Sequence, residues 1–304
     1  MDIRSRAFRD TTLTKLFYRL AAFYLRHTTI EKGRYRLLTL MQPIGRKIGH
    51  ALGLRRIRTR HDFLMELDLQ DWIAQHIFLT GQFEPDVSAV VKKLLRKGNI
   101  VVDVGANIGY FSLLFSRCVG TKGHVYSFEP VPQLASALRR NADLNQFSQI
   151  TLSNLALSDH DGEARFYVGP KDNSGLSSLR QPRGSSDVID VQLVRFDGVF
   201  NHAENIALVK IDVEGAELAV LRGMVECLRN KRPYILVEVT HQFLEEMGDS
   251  EQTLLAYLQG FGYNCYVIDN DEIELLSSRK NPLPPQWNAL FSVEKVFGER
   301  TGLY

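Results

Sequence analysis

Cysteine is scarce in this sequence: Cys118, Cys227 and Cys265 are the only three among 304 residues. They are odd in number and far apart, and no Cys-x-x-Cys pair exists, which argues against a zinc knuckle and a disulfide framework. Thiols used this sparingly fit a reducing compartment, so a cytoplasmic setting is expected. No stretch reaches the ~18 apolar residues that a membrane span requires. Residues 16–25 (LFYRLAAFYL) resemble the apolar part of a secretory signal, but Arg19 interrupts them and no small-x-small cleavage site follows. Internal repeats and low-complexity tracts are missing too, which excludes solenoids and linkers of biased composition.

Acidic residues are nearly absent from the first sixty positions. That segment carries 15 Lys/Arg against 3 Asp/Glu, while the remainder carries 22 against 32, so a chain of net charge +2 hides two regions of opposite sign. Within the basic segment, Leu13, Leu16, Phe17, Leu20 and Tyr24 recur at helical spacing, with Lys15, Arg19 and Arg26 elsewhere on the wheel. Gly33 breaks this pattern. A second amphipathic stretch follows at about 35–53 (Leu37, Met41, Ile44, Ile48, Leu52), with Pro43 as its kink or its start, and then the basic run LRRIRTR. Two readings stand for residues 1–60. One is a helical extension packed on the rest of the chain or on a second copy, which makes a homo-oligomer. The other is an interfacial helix on an anionic membrane surface, which makes the protein peripheral on the inner membrane face. No nucleic-acid motif accompanies the charge, so no nucleic acid is expected as a partner.

From residue 98 the pattern changes to strands alternating with helices. NIVVDVG reads as a buried strand, followed by a helix at about 109–118. HVYSFEP is the next strand, followed by a helix at about 131–145 and the strand QITLSN. ALVKIDVEG leads into one helix over AELAVLRGMVECLRN, and PYILVEV precedes a helix near 250–259. YNCYVID and NALFSVE have no helix between them, so an antiparallel terminal pair is expected. EARFYVG and DVIDVQLVRF flank a Ser-, Gly- and Asn-rich middle and read as a β-hairpin insertion with a mobile loop. The expected fold is α/β, a doubly wound, mostly parallel seven-stranded sheet with that hairpin insertion and an N-terminal helical extension. The expected domains are 1–60 (basic extension), 61–97 (a lead-in packing on the core) and 98–304.

The dinucleotide fingerprint Gly-x-Gly-x-x-Gly is missing. In its place stands DVGANIGYF, with Gly105, Asn107 and Gly109 between a strand and a helix. Such a turn exposes backbone N–H groups to a ligand at a helix N-terminus. Tyr110 occupies the position of the usual third glycine. Asp103, just before the turn, repels a phosphate and attracts an amino group. Together these favour S-adenosylmethionine over NAD, and Glu129 at the end of the next strand is placed to accept from ribose hydroxyls. An NAD-dependent oxidoreductase is the weaker alternative, because an acid at that strand end serves both cofactors.

Five segments occur in order: VVDVGANIGYFSLLFS, VYSFEP, ALSDHDGEARFYV, VKIDVEGAELAVLRG and ILVEV. They resemble the FkbM family of class I S-adenosylmethionine-dependent methyltransferases, whose sheet is Rossmann-like. The resemblance covers about 98–296, and the lead-in LMELDLQDWIAQHIFLTGQFEPD is similar as well, including Asp71, Gly81 and Glu84. It implies that Gly105, Ala106, Asn107, Gly109 and Tyr110 line the methionine end of the cofactor, and that Glu84 and Asp103 belong to the same site. It also implies that Glu129 and Pro130 hold the ribose, and that Ser158 and Asp159 lie at the adenine edge. Asp212 would stand near the sulfonium, and S-adenosylhomocysteine would be the product. The family's members are mostly O-methyltransferases, so the implied acceptor is a hydroxyl of a sugar, glycolipid or secondary metabolite. An N-methyltransferase acting on an amine or protein side chain, and a non-catalytic cofactor-binding or membrane-scaffold protein, are the alternatives.

Methylating an alcohol requires that its proton be removed as the new bond forms. The candidate bases at the carboxyl ends of the strands are Asp212, Glu214, Glu238 and His241. By strand alternation Lys210 shares a face with Asp212 and can pair with it. Asp212 and Glu238 could hold a divalent metal with an oxygen from Asn173, but no metal-spacing motif appears and none is expected. A plainer role for Glu214 and Glu217 is to cap the following helix.

Overall fold

The computed structural model describes residues 11–27, 34–181, 187–200, 205–269 and 272–296. Gly33 and residues 182–186 of the expected loop lie outside these. The chain forms two compact units, Met1–Phe83 with Pro170–Ser174, and Glu84–Gly169 with Gly175–Tyr304. The division falls at 83/84, whereas the sequence pattern predicts boundaries after residues 60 and 97.

The first unit contains α1 (Thr11–His27), α2 (Arg34–Leu52), β1 (Leu54–Arg58), β2 (Leu64–Asp68) and α3 (Trp72–Thr80). One face of α1 buries Tyr18, Ala21, Ala22 and Leu25, and the Tyr18 ring stacks on Phe78 of α3 with centroids 5.9 Å apart. Pro43 lies inside α2 and does not start it. The basic run becomes β1, antiparallel to β2, where Arg56 pairs with Glu66 at 2.9 Å. Asp71 starts α3: its carboxylate accepts from the N–H of Ala74 at 2.9 Å and from that of Ser174 at 2.7 Å, which ties the 170–174 segment into this unit.

The second unit runs α4 (Pro85–Leu94), β3 (Ile100–Val104), α5 (Tyr110–Val119), β4 (His124–Phe128), α6 (Pro132–Leu144), β5 (Ile150–Ser153), β6 (Ala156–Ser158), β7 (Gly162–Val168), β8 (Asp187–Arg195), α7 (Phe196–Val199) and β9 (Ile206–Ile211). It continues through α8 (Glu217–Arg222), α9 (Val225–Asn230), β10 (Tyr234–Thr240), α10 (His241–Glu246), α11 (Glu251–Gln259), β11 (Asn264–Asp269), β12 (Glu272–Leu275) and β13 (Gln286–Ser292). Its main sheet has the order β12-β11-β13-β10-β9-β3-β4-β5. That is eight strands where seven were expected, because the short acidic strand β12 adds an edge antiparallel to β11. The central pairs β10–β9, β9–β3, β3–β4 and β4–β5 are parallel, and β13 is antiparallel to both its neighbours. Val101, Val102, Leu208, Val209, Ile235 and Val237 are buried, as strands covered on both faces require.

The hairpin insertion is present as β7 and β8, and β6 adds to it in parallel to make a three-stranded sheet. The single helix expected over residues 216–230 is instead two, broken at Gly223. A Cβ at Gly223 would stand 2.0 Å from the Ser158 carbonyl oxygen, so β6 presses on the chain there. The Asp197 carboxylate then accepts from the N–H groups of Glu226 (2.8 Å) and Cys227 (3.1 Å) and starts α9.

Candidate active site

The ends of β3, β4, β9 and β10 meet in the second unit. At the end of β3 the chain turns sharply: Gly105 has φ +80°, and a Cβ on it would lie 1.8 Å from the carbonyl oxygen of Asp212. Only glycine fits both the left-handed backbone and the close approach of the chain leaving β9. The N–H groups of Gly105 and Ala106 both donate to the Phe128 carbonyl at 3.0 Å, joining the turn to β4. Asn107 also has positive φ, and its side-chain oxygen accepts from the Ile108 N–H at 2.7 Å. Gly109 caps α5, and Leu138 of α6 packs where its Cβ would be, at 2.6 Å. Gly109 therefore supplies the close packing for which a bulky Tyr110 is ill suited. The buried Tyr110 hydroxyl instead meets the Ser88 hydroxyl of α4 at 3.4 Å.

Glu129 follows β4 and is 4% exposed. One carboxylate oxygen accepts from the Asn107 N–H at 2.8 Å and the other from the Val131 N–H at 2.9 Å, on either side of Pro130. These bonds fix the carboxylate against the glycine turn. Burial nevertheless outweighs them and pushes its pKa up to about 7.

A buried polar row crosses the sheet. Asp103 sits in register between Ser127 of β4 and Lys210 of β9. Ser112 of α5 donates to Asp103 Oδ2 at 2.5 Å and is 2.8 Å from the Ser127 hydroxyl, while Oδ1 accepts no hydrogen bond. Lys210 is 4% exposed; its ammonium pairs with Asp212 at 2.7 Å and lies 4.8 Å from the centre of the Phe111 ring. Burial works to lower the Lys210 pKa, but Asp212, Asp103 and Glu84 together raise it, so the ammonium stays charged. This is the pairing that strand alternation predicts.

Around that cation gather more carboxyls than it can neutralise. Oxygens of Asp212, Glu214 and Glu238 all lie within 4.8 Å of one another. Glu238 accepts from the Gln286 side-chain amide of β13 at 2.7 Å, and Glu84 is hydrogen-bonded to it. Burial is the main cause that raises every one of these acids: Glu84 to about 7, Glu214 to about 9, Glu238 well above the ordinary range, and Asp103 upward despite Lys210 and Ser112. Lys210 is the cation that all four feel. Glu217, also raised to about 7 by burial, accepts from the N–H groups of Val213 (3.3 Å) and Gly215 (2.9 Å). Glu217 thus holds the turn that precedes α8. Glu214 stands instead in the acid cluster with φ +55°.

The other sequence candidates are placed differently. His241 opens α10 and pairs with Glu245 at 3.3 Å on the exposed side of that helix, which removes it from the carboxyl cluster. Ser158 ends β6, and Asp159 accepts from Ser158 at 3.3 Å and engages His160 at 2.6 Å, chiefly through which its pKa is lowered. The third oxygen beside Asp212 and Glu238 belongs to Glu214. Two residues of the insertion escaped the sequence reading. Ser178 donates to the Glu214 carbonyl at 2.8 Å, and Arg180, 7% exposed, pairs with Glu246 at 2.5 Å while its guanidinium lies 4.0 Å from the centre of the Phe243 ring. Loop composition announced a mobile segment, and nothing local in SSLR signals that it folds onto the 213–214 turn.

A family model described as a methyltransferase FkbM domain matches residues 103–265, just over half of the chain. The 2-O-methyltransferase NoeI of Sinorhizobium fredii is 29% identical over 190 residues, covering 57% of this chain and 76% of that protein. The hexuronic acid methyltransferase AglP of Haloferax volcanii is 30% identical over 158 residues, 51% of this chain and 62% of AglP, so less than two thirds of that relative is matched. The 31-O-demethyl-FK506 methyltransferase FkbM of Streptomyces tacrolimicus is 29% identical over 211 residues, 59% of this chain and 77% of that protein.

Proposed function

The chain belongs to the FkbM methyltransferase family, and from that premise we propose that it uses S-adenosylmethionine to methylate a hydroxyl of a sugar-bearing or other small-molecule acceptor. The residues at the glycine turn suit that cofactor. The backbone at Gly105 is bare, with no room for a side chain. The free Oδ1 of buried Asp103 suits an ammonium group. Glu129 is fixed by two backbone donors and keeps a lone pair on each oxygen for the ribose hydroxyls. When bound, S-adenosylmethionine supplies a methyl group on a sulfonium, whose departure as a neutral thioether asks little of the protein beyond alignment and exclusion of water.

The acceptor's proton is the remaining task, and the carboxyl oxygens of Asp212, Glu214 and Glu238 within 4.8 Å of one another are the observation that carries this reading. Asp212 is paired with the Lys210 ammonium at 2.7 Å. Glu238, pushed well above the ordinary carboxyl range by burial first and by Asp212 and Glu84 next, is the stronger base once deprotonated. A cation held beside this cluster would favour its deprotonated form. Three relatives named for sugar-type or O-methyl chemistry support a hydroxyl acceptor. The same triad of oxygens suits one divalent cation, the second reading.

Methyl transfer from labelled S-adenosylmethionine to a panel of oligosaccharides and uronic acid glycosides identifies the acceptor. On it, Asp212→Asn and Glu238→Gln should each lower turnover at least ~100-fold and change S-adenosylhomocysteine affinity only a few-fold. Full turnover in both variants refutes the assignment. Reversible loss of wild-type activity in EDTA moves the role from base to metal ligand.

A further inference from the structure

The α1 helix carries two apolar faces, and its own unit uses only one. Tyr18, Ala21, Ala22 and Leu25 are buried. Leu13, Leu16, Phe17, Leu20, Phe23 and Tyr24 recur at i, i+3, i+4, i+7, i+10 and i+11 and are 46–64% exposed. At 100° per residue these six span an arc of about 120°. Lys15 and Arg19 flank one edge of that arc. Arg26, on the same flank, is committed to the fold through the Ala22 carbonyl at 3.2 Å and the Phe78 ring at 5.0 Å. Monomeric soluble proteins rarely leave a contiguous aromatic and leucine stripe of this kind in water.

We propose that the exposed face of α1 docks in the plane of an anionic lipid bilayer, with the six apolar side chains in the headgroup–acyl boundary and Lys15 and Arg19 on the headgroups. Charge decides between this occupant and a second copy of the chain. Residues 1–60 carry 15 basic against 3 acidic residues. An isologous pairing of this face sets one basic segment against another, whereas anionic headgroups complement it. Among the described residues no helix is long and apolar enough to cross a membrane. The 17 residues of α1 suit lying along the surface, because a basic flank beside an apolar arc is the pattern of interfacial helices.

The test is co-sedimentation of the full chain with vesicles of phosphatidylcholine alone and of phosphatidylcholine containing about a third phosphatidylglycerol, with light scattering to give the oligomeric state. Binding is expected only to the anionic vesicles and is lost on raising salt to ~1 M, where the Debye length is ~3 Å. Lys15→Glu and Arg19→Glu should each weaken the partition by about fivefold or more, and Phe17→Ser with Leu20→Ser by at least about tenfold. All four side chains lie outside the buried face, and far-UV circular dichroism with an unchanged melting temperature verifies that the variants fold. Equal sedimentation with both vesicle types, or none with either, overturns the proposal. So does a dimer that Phe17→Ser with Leu20→Ser converts to monomer without any effect of lipid.

Discussion

Replacing Glu129 by glutamine separates what the carboxylate does for the empty protein from what it does for the cofactor. The group is 4% exposed and its two oxygens accept the N–H groups of Asn107 and Val131. Burial holds its folded pKa at about 7 against an ordinary value near 4.5. An acid whose pKa is raised by folding keeps its proton longer in the folded state. The folded chain therefore loses stability as pH rises from about 4.5 to about 7. That interval corresponds to about 3 kcal/mol at ~1.4 kcal/mol per pH unit. Glutamine cannot ionise, so it is free of this loss. It retains one acceptor oxygen but turns an NH2 toward the other backbone donor, a deficit of roughly 1–3 kcal/mol at every pH. Urea denaturation at pH 4.5, 6, 7 and 8 should show the variant less stable than wild type in acid and no less stable at pH 8, the difference moving by about 3 kcal/mol. Calorimetry at pH 8 should show the opposite for S-adenosylhomocysteine. Hydrogen bonds from the ribose to a charged acceptor are worth ~1.5–3 kcal/mol each, so affinity should fall at least tenfold. Parallel stability curves would refute the burial argument, and an unchanged dissociation constant would refute the ribose assignment.

Gly105→Ala should yield little folded protein, because the new Cβ would meet the Asp212 carbonyl oxygen at 1.8 Å in a left-handed backbone; a soluble variant with wild-type melting temperature refutes that crowding. Lys210→Met removes the cation felt by Asp103, Glu84, Glu214 and Glu238, and should cost about 3–5 kcal/mol at pH 8. That loss should shrink toward pH 5 as the acids take up protons, and a pH-independent loss in urea melts would contradict it.

The glycine turn and Glu129 are legible in sequence because their constraints are local. A run such as IVVDV is a fully buried strand and GANIG a turn, while an acid five residues into the next strand segment needs no distant partner to be noticed. Lys210 and Asp212 are legible for the same reason, two residues apart on one strand face. What escapes depends on chain far away. Gly223 reads as an ordinary helix residue until the Ser158 carbonyl is known to press on it. Glu238 receives its hydrogen bond from Gln286, forty-eight positions on. Strand β12 is four residues long and half acidic, and only pairing with β11 makes it a strand. Histidine is the side chain most often used as a general base, but sequence does not reveal that Glu245, one helical turn on, would engage His241.

Strand β13 is the last of the main sheet in chain order, yet it lies between β10 and β11. During synthesis the ribosome releases β10 and β11 well before it, so the nascent sheet waits with a strand-wide gap in its interior. Until residues 286–292 arrive, neither neighbour has its hydrogen-bonding partner on that side, and Glu238 lacks the Gln286 amide. The half-finished protein thus presents two unsatisfied strand edges, the form in which chains most readily pair with one another. Completion of the sheet and arming of the carboxyl cluster become a single event, the arrival of β13. Chaperone dependence is accordingly expected to concentrate in the interval between release of β11 and release of β13.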